Sequence, residues 1–225
     1  MANAVPPTEP PYVGAFLLSG ASIFGGARKA YKRIEGTHSG KPPSLHDALA
    51  SILFSASALE AFIAEVAIVG RMVPPNDQDR RYILDVADAL DEIESNNGST
   101  RLKYLTAKIL LPGEAYDRGN QPYQDFDLLF AVRNAIIHHR PQRLSMEPNK
   151  IIKRLEPRGL ASPTAPPTVT TWLSQLHRQP IAKWACNVAA TMSRSIADAA
   201  TGAEIGARDD FLGTMFDSLA FDHIR

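Results

Sequence analysis

The chain has 225 residues, enough to bury a hydrophobic core, and this length predicts one folded domain, with two folding units possible but tight. Its composition, 44% hydrophobic and 21% charged, is that of an ordinary globular protein, and 17 prolines predict several loops. Basic and acidic residues are equal at 24 each, so the formal net charge is zero and no global field draws the chain to nucleic acid or to an anionic membrane.

A proline-rich lead-in over residues 1–12 precedes the first predicted helix, which runs from about residue 13 to residue 34. Basic residues are concentrated in the last turns of this helix, where they suit the helix dipole. Gly20, Gly25 and Gly26 weaken the prediction, although small residues also permit a close crossing with another helix. The lead-in lacks the basic region of a secretory signal, and the chain contains no glycine-rich phosphate-binding motif.

The second predicted helix, residues 45–70, has the clearest core stripe. It opens with a capping box, because Ser44 is followed three residues later by Asp47. Glu60 lies on the rim of the apolar stripe, where it either pairs with a Lys or Arg as an ordinary flanking carboxylate or orients a basic residue of a site. Glu60 and Glu65 interrupt the apolar run, which argues against a membrane span.

Two shorter helices are predicted next. Asn76 caps the third helix, which the Asn-Asn-Gly sequence at residues 96–98 ends. Ser99 or Thr100 then begins a fourth helix that extends to Leu110. A turn-rich loop separates this helix from the fifth.

The fifth predicted helix, within residues 125–141, carries an Arg-Asn pair and a His-His pair among apolar residues. Projected at about 100° per residue, one continuous arc forms the core face and contains Leu128, Leu129, Val132, Ala135, Ile136 and His139. The opposite face is predicted to be a second buried surface and contains Phe130, Arg133, Asn134, Ile137 and His138. Pro141 disfavours helical geometry at the preceding residue, so His138 is expected in the last turn, near the negative end of the helix dipole.

Beyond Pro141 the helical periodicity degrades, and residues 142–170 are predicted to be a loop-rich insertion. Within this insertion, residues 150–155 are expected to form either a short strand or an irregular crossing. Thr170 or Thr171 then caps a short helix.

A long closing helix has Pro180 in its first turn and ends near residue 200. Residues 201–225 are predicted to be a C-terminal helical extension, whose amphipathic segment docks on the domain or on a partner. No convincing strand pattern and no internal repeat is evident in the sequence. The sequence therefore predicts an all-α domain over residues 13–200, with the loop-rich insertion before its C-terminal helices.

Other kinds of site lack a supporting pattern. The six histidines do not fall into a metal-ligand spacing, so neither a metal nor another cofactor is predicted. Cys186 is expected to be a small buried hydrophobe, since no basic partner accompanies it in the sequence. A lone cysteine cannot form an internal disulfide and suits a reducing compartment, so the protein is predicted to be cytoplasmic, with no membrane partner.

The sequence RNAIIH at residues 133–138 stands out in this helical context. An ALEAFIAE helix at residues 58–65 and an RLKYLTAKIL helix at residues 101–110 precede it. Together these segments resemble the HEPN domain family, over about residues 13–141 and again in the closing helix at residues 181–200.

This resemblance implies an HEPN-like helical bundle that dimerises through the helix carrying the R-x4-6-H motif. Many members of the family are metal-independent RNA endonucleases, often toxins of toxin–antitoxin or phage-defence systems, and others only bind nucleotides or proteins. By matching positions, Arg133 and His138 are the motif residues, and Asn134 is the polar residue that commonly follows the arginine. One branch continues as H-x-Y and is silenced by nucleotidylation of the tyrosine; Arg140 stands at that position here, so this silencing is not expected. An antitoxin or other regulatory protein is a further candidate partner.

The chemistry of RNA cleavage agrees with this resemblance. Cleavage without a metal needs a base for the 2′-hydroxyl, an acid for the leaving 5′-oxygen and a cation for the charged phosphorane. His138 can serve as base or acid, Arg133 can fork hydrogen bonds onto phosphate oxygens, and Asn134 can fix the imidazole four residues away. Two copies across a two-fold axis bring two such sets together, which predicts a homodimer with Phe130 and Ile137 in its interface.

A local run of basic residues provides positive charge for RNA binding, although the chain as a whole is neutral. In residues 133–158, seven Lys and Arg side chains stand against two glutamates. Glu60, His139, Arg140 and Arg143 are candidate substrate-binding residues. His139 is alternatively a structural histidine, because it falls on the core arc of its helix.

Two interpretations of the motif follow from the residues and from the resemblance to the HEPN family. In the first, the protein is a metal-independent endoribonuclease with a composite site at its dimer axis. In the second, Arg133, Asn134 and His138 form a polar network that stabilises a helical core or dimer, and the protein is a non-catalytic nucleotide- or protein-binding module.

Overall fold

The computed structural model describes residues 19–36, 43–74, 76–138, 149–162, 171–206 and 208–225. Within these ranges the secondary structure is helical, apart from one isolated antiparallel bridge between Ala161 and Leu176. The α-helices of the described chain are α1 (Ser19–Glu35), α2 (Leu45–Gly70), α3 (Arg81–Ser95), α4 (Thr100–Leu110), α5 (Tyr123–Ile137), α6 (Lys150–Leu155), α7 (Arg178–Ala200) and α8 (Asp210–Asp217). The all-α prediction is therefore confirmed.

Helix α2 is the centre of the fold, because α1, α3, α4, α5, α7 and α8 all pack against it. Its side chains Ile52, Leu59 and Phe62 have no exposed surface. The Ser44 side chain accepts a hydrogen bond from the backbone N–H of Asp47, which confirms the predicted cap. The bounds of the helix also agree with the sequence prediction.

Helix α2 is also the one helix in the described part of the chain that is long and apolar enough to cross a membrane. Length and apolar composition are a weak sign of a membrane span, because the core helix of a globular protein meets the same test. Here 61% of the most apolar stretch of α2 is buried inside the protein. Burial against the neighbouring helices accounts for its composition.

Helix α1 crosses α2 closely at Gly20. A β-carbon at this position would lie 3.3 Å from the backbone nitrogen of Phe62 and 2.9 Å from Oε2 of Glu65. The Glu65 carboxylate accepts hydrogen bonds from the Gly20 N–H and from the Ser19 hydroxyl, in the first described turn of α1. The glycine that weakens the sequence prediction therefore permits the close contact between the two helices. Residues 13–18, predicted to belong to this helix, lie outside the described residues.

The predicted start of the third helix is wrong. Helix α3 begins at Arg81, and Asn76 does not cap it. Asp77 instead accepts a hydrogen bond from the Arg80 N–H at 3.2 Å and forms an ion pair with the Arg80 guanidinium. These contacts make a separate turn before the helix. Asp77, next to Asn76, therefore stabilises that turn and does not cap α3.

Residues 150–155 form helix α6, so the prediction of a strand or irregular crossing is wrong. The Asn149 side chain caps this helix by accepting a hydrogen bond from the Ile151 N–H at 2.8 Å. Ile152 and Leu155 lie three residues apart on one face of the helix, and both are fully buried. This part of the predicted loop-rich insertion is a packed helix.

The next two helices follow the prediction more closely. The short helix after Thr171 is a 3-10 helix, Trp172–Gln175, and helix α7 holds Pro180 in its first turn. Cys186 on α7 is fully buried, as predicted. Burial raises the pKa of its thiol to about 11, and the Ser55 hydroxyl donates a hydrogen bond to its sulfur.

The C-terminal segment, residues 208–225, belongs to the same core as the rest of the described chain. Phe221 stacks on Phe24 of α1 with ring centroids 4.4 Å apart, and it meets Phe62 of α2 edge-on at 5.7 Å. Helix α8 packs against α2 and α7. The segment therefore docks on the domain, and the core continues past the predicted boundary at residue 200.

Candidate functional site

The candidate site lies at the C-terminal end of helix α5, where the helix leaves the core. His138 caps the helix, and its backbone N–H donates to the Asn134 carbonyl at 2.9 Å. The His138 side chain is exposed, whereas Asn134 is partly buried. The prediction that His138 lies at the end of its helix is therefore confirmed.

Arg133 is held in place by two partners. Its Nη1 donates to the side-chain oxygen of Asn134 at 3.0 Å, and its Nη2 donates to Oε2 of Glu60 at 3.3 Å, across the contact between α2 and α5. Only 24% of the Arg133 side chain is exposed. Its Nε is buried and has no hydrogen-bond partner among the described residues, which is uncommon for a buried donor. The guanidinium is thus held between two helices by the described contacts.

Glu60 contacts the basic residue of the candidate site itself, so the carboxylate on the rim of α2 orients Arg133. Lys103 of α4 lies in the same electrostatic environment. Burial lowers the pKa of Lys103, and the carboxylates of Glu60 and Asp91 partly offset this effect. Lys103 also forms an ion pair with Glu94. Charged groups from α2, α3, α4 and α5 therefore meet beside the candidate site.

The prediction of Phe130 as a dimer-interface residue is wrong. Its side chain is 4% exposed and packs edge-on against Phe126, with ring centroids 5.1 Å apart, inside the core of the same chain. Helix α5 is apolar on two faces because both α2 and α7 pack against it. Ile137, in contrast, is 51% exposed, and its place in an interface stays a prediction.

Three of the predicted substrate-binding residues, His139, Arg140 and Arg143, lie outside the described residues. Their roles stay predictions, as does the core placement of His139. Among the described residues, the structure brings Glu60 and the Arg-Asn pair into direct contact. It places His138 on the same face of α5 as Asn134, one turn further along.

A second group of cationic side chains lies beside α5, and sequence reasoning missed it as a group. These side chains line an open groove of about 850 Å³ and are Arg101, Arg118, Arg154 and Arg158. Two of them belong to the basic run noted in the sequence, and the other two come from α4 and the loop before α5. The sequence contains one sign of this group, a pair of acidic residues near the start of an apolar helix, Asp125 and Asp127. Carboxylates in such a position need cationic partners.

These features define an all-α protein in which a hydrogen-bonded Arg-Asn pair and an exposed His lie at the end of a core helix. Within the described ranges, no three His, Cys, Asp or Glu side chains are grouped as metal ligands. Comparison with known protein families, curated proteins and solved structures finds no match. The chemistry of the clustered side chains is therefore the guide to function.

Proposed function

We propose that the protein is a metal-independent endoribonuclease of HEPN type, of the toxin or defence kind. The observation that best supports this proposal is a fixed arginine and an exposed histidine at one helix end. Glu60 and Asn134 hold the Arg133 guanidinium, and the His138 imidazole faces solvent one turn beyond Asn134. The His138 side chain is exposed beside this network, where a substrate can contact it.

In this proposal His138 transfers protons and Arg133 stabilises charge. One imidazole accepts the proton of the 2′-hydroxyl, whose oxygen then attacks the adjacent phosphorus. The bond from phosphorus to the 5′-oxygen breaks, and a second, protonated imidazole donates a proton to that oxygen. Arg133, already oriented by Glu60, places N–H donors against the non-bridging oxygens as their charge develops. The products are a 2′,3′-cyclic phosphate and a 5′-hydroxyl.

A second copy of the chain completes the site. Each chain supplies one candidate catalytic histidine, whereas concerted acid and base catalysis needs two. Ile137 is adjacent to His138 and half exposed, so it is available for an apolar contact across a two-fold axis. A homodimer joined at the ends of α5 would place two sets of Arg133 and His138 around one RNA strand.

The test is the cleavage of total RNA by the purified protein in excess EDTA, beside two alanine variants. His138→Ala removes the proposed proton carrier, and His46→Ala removes an exposed histidine at the start of α2 as a matched control. We expect the wild type and His46→Ala to produce 2′,3′-cyclic phosphate ends and His138→Ala to produce none. Equal cleavage by His138→Ala, or no cleavage of any RNA by the wild type, would contradict the proposal.

A non-catalytic nucleotide- or protein-binding module is the second candidate. The observation that favours it is the contact with Glu60, because this carboxylate offsets part of the Arg133 charge that a phosphorane needs. In this case the protein would bind RNA or a nucleotide through Arg133 and leave it intact. Mass spectrometry of the RNA recovered after prolonged incubation separates the two candidates, since intact RNA bound in an Arg133-dependent manner supports the binding module alone.

A further inference from the structure

The groove beside the candidate site has an unusual lining. It lies between α4, the loop before α5, the start of α5 and the region of α6, and seven of the ten described residues that line it are polar or charged. Pockets for small organic ligands are lined mainly by hydrophobic and aromatic side chains. The composition of this groove instead suits an extended, charged ligand.

Asp127 projects from α5 and holds two of the groove arginines. Its Oδ1 accepts a hydrogen bond from Arg101 of α4, and its Oδ2 accepts one from Arg154 of α6 at 2.8 Å. Burial raises the pKa of Asp127, but the hydrogen bonds from Arg154 and Arg101 outweigh burial and keep the pKa below its ordinary value. The carboxylate is therefore ionised and fixes both guanidinium groups. Each guanidinium has five N–H donors, so most donors are left for a ligand.

The other two arginines enlarge the positive surface. Arg158 donates from Nε to Asp125 at 2.7 Å and from Nη1 to the Arg154 carbonyl at 2.9 Å. Arg118 is exposed and forms no ion pair with any residue that the structure describes. Four arginines thus stand against two aspartates, which is a local excess of positive charge in a chain of zero net charge.

The groove and the candidate site lie along the same face of α5. Asp127, Asn134 and His138 follow one another at spacings of seven and four residues, which places them on a single stripe of the helix. At a rise of about 1.5 Å per residue, Asp127 and Asn134 are separated by about 10 Å along the helix axis. A polyanion bound to the arginines therefore reaches His138 by following α5.

We infer that this groove binds the phosphate backbone of single-stranded RNA and leads the strand to His138, an inference that rests on the proposed function. Guanidinium groups fixed by carboxylates present paired N–H donors that match phosphodiester oxygens. Tyr123, the one aromatic side chain among the described residues of the groove lining, is buried, so none of these residues offers a surface for base stacking. Binding is therefore independent of base sequence, weakens steeply with salt and strengthens with the length of the strand.

The test measures the binding of fluorescein-labelled oligouridine of about 12 nucleotides, a length in the usual range for single-strand grooves. All proteins carry His138→Ala, so that binding is separated from cleavage. The groove variant adds Arg118→Ala and Arg154→Ala. The matched control adds Arg71→Ala and Arg81→Ala, which remove two exposed arginines paired with aspartates of α3. Both variants lower the net charge equally.

We expect the groove variant to bind the oligonucleotide at least about 10-fold more weakly at physiological salt, and the control to stay within about twofold of the parent. The slope of log affinity against log salt should fall by about 1.4 in the groove variant, because each lost phosphate contact on a single strand contributes about 0.7. Equal losses in both variants overturn the inference. The inference is also overturned if ATP binds as tightly as the oligonucleotide and loses as much affinity when Arg118 is replaced. A groove that binds a strand should instead bind a longer strand more tightly than a single nucleotide. Arg118→Ala alone, which breaks no described ion pair, gives the same comparison if the double variant unfolds.

Failure of the groove and failure of the proposed function give different results. If the wild type cleaves RNA through His138 and the groove substitutions alter neither binding nor cleavage at low RNA concentration, the groove inference is overturned and the endoribonuclease stands. If binding depends on the groove arginines but RNA is never cleaved, the groove is supported and the endoribonuclease is overturned.

Discussion

The contact between Glu60 and Arg133 gives a quantitative test of the site. The two groups meet at 3.3 Å, with 35% of the Glu60 side chain and 24% of the Arg133 side chain exposed. At this distance an effective dielectric constant of about 20 gives a Coulomb attraction of roughly 5 kcal/mol. Screening by water and the cost of desolvation reduce the net contribution of such partly exposed pairs to about 1 kcal/mol. We therefore expect a coupling free energy of about 1 kcal/mol between the two residues.

The assay is a double-mutant cycle in urea, with Glu60→Gln, Arg133→Gln and both substitutions together. The difference between the double variant and the sum of the single variants isolates the pair. If Glu60 also positions Arg133 for catalysis, Glu60→Gln should lower kcat about 10- to 100-fold with little change in KM. A coupling below about 0.3 kcal/mol, which is within the error of additivity, would refute the conclusion that Glu60 holds the guanidinium. Unchanged kcat in Glu60→Gln would refute the positioning role alone.

Phe130→Ala should lower the free energy of unfolding by about 3–5 kcal/mol, because its ring fills the core, whereas Ile137→Arg should change it by less than about 0.5 kcal/mol and convert a dimer to a monomer in light scattering. An unchanged mass for Ile137→Arg, or dissociation by Phe130→Ala without loss of stability, would contradict this division. Cys186 should resist a thiol reagent at about pH 8 in the native protein and react only after unfolding, since burial raises the pKa of the thiol to about 11; rapid native labelling would contradict its burial. Burial also raises the pKa of Tyr104 well above its ordinary value of 10.0, so the native phenol stays protonated where the unfolded one ionises. The contribution of Tyr104 to stability should therefore be fully present below about pH 10 and decline above it. As the pH rises, tyrosinate absorbance should appear together with the loss of helical circular dichroism. Ionisation of Tyr104 while the helical dichroism is intact would contradict this prediction.

The features that the sequence predicts well depend on residues within one or two turns of each other. Ser99 caps α4 by accepting a hydrogen bond from the Leu102 N–H at 3.3 Å, and a cap of this kind is visible as a residue type beside an apolar run. Asn97 takes a positive φ of 55°, which ends α3 where the Asn-Asn-Gly sequence predicts. The polar cluster of α5 is recognisable for the same reason, since its three members share one short segment.

The features that the sequence does not predict depend on contacts between distant segments. Helix α5 is apolar around most of its circumference, and its wheel does not distinguish a face that meets the chain's own core from one that meets a partner. Phe130 is misassigned for this reason. The groove is a similar case. Arg101 and Arg154 are brought together by their ion pairs with Asp127, and their spacing in the sequence does not predict this contact. Glu60 is an intermediate case: its position on the rim of α2 is visible, but its partner lies 73 residues away.

The position of Phe221 has a consequence for folding during synthesis. Its ring closes the junction of α1 and α2 by packing on Phe24 and Phe62, so these two helices are completed by a residue that is synthesised long after them. A contact that spans nearly the whole described chain raises the contact order, and contacts of this kind form late. Until the C-terminal segment emerges from the ribosome, α1 and α2 present an aromatic surface that other nascent chains can bind. We therefore expect the newly made protein to depend on chaperones that shield this surface until Phe221 has emerged and can pack on it.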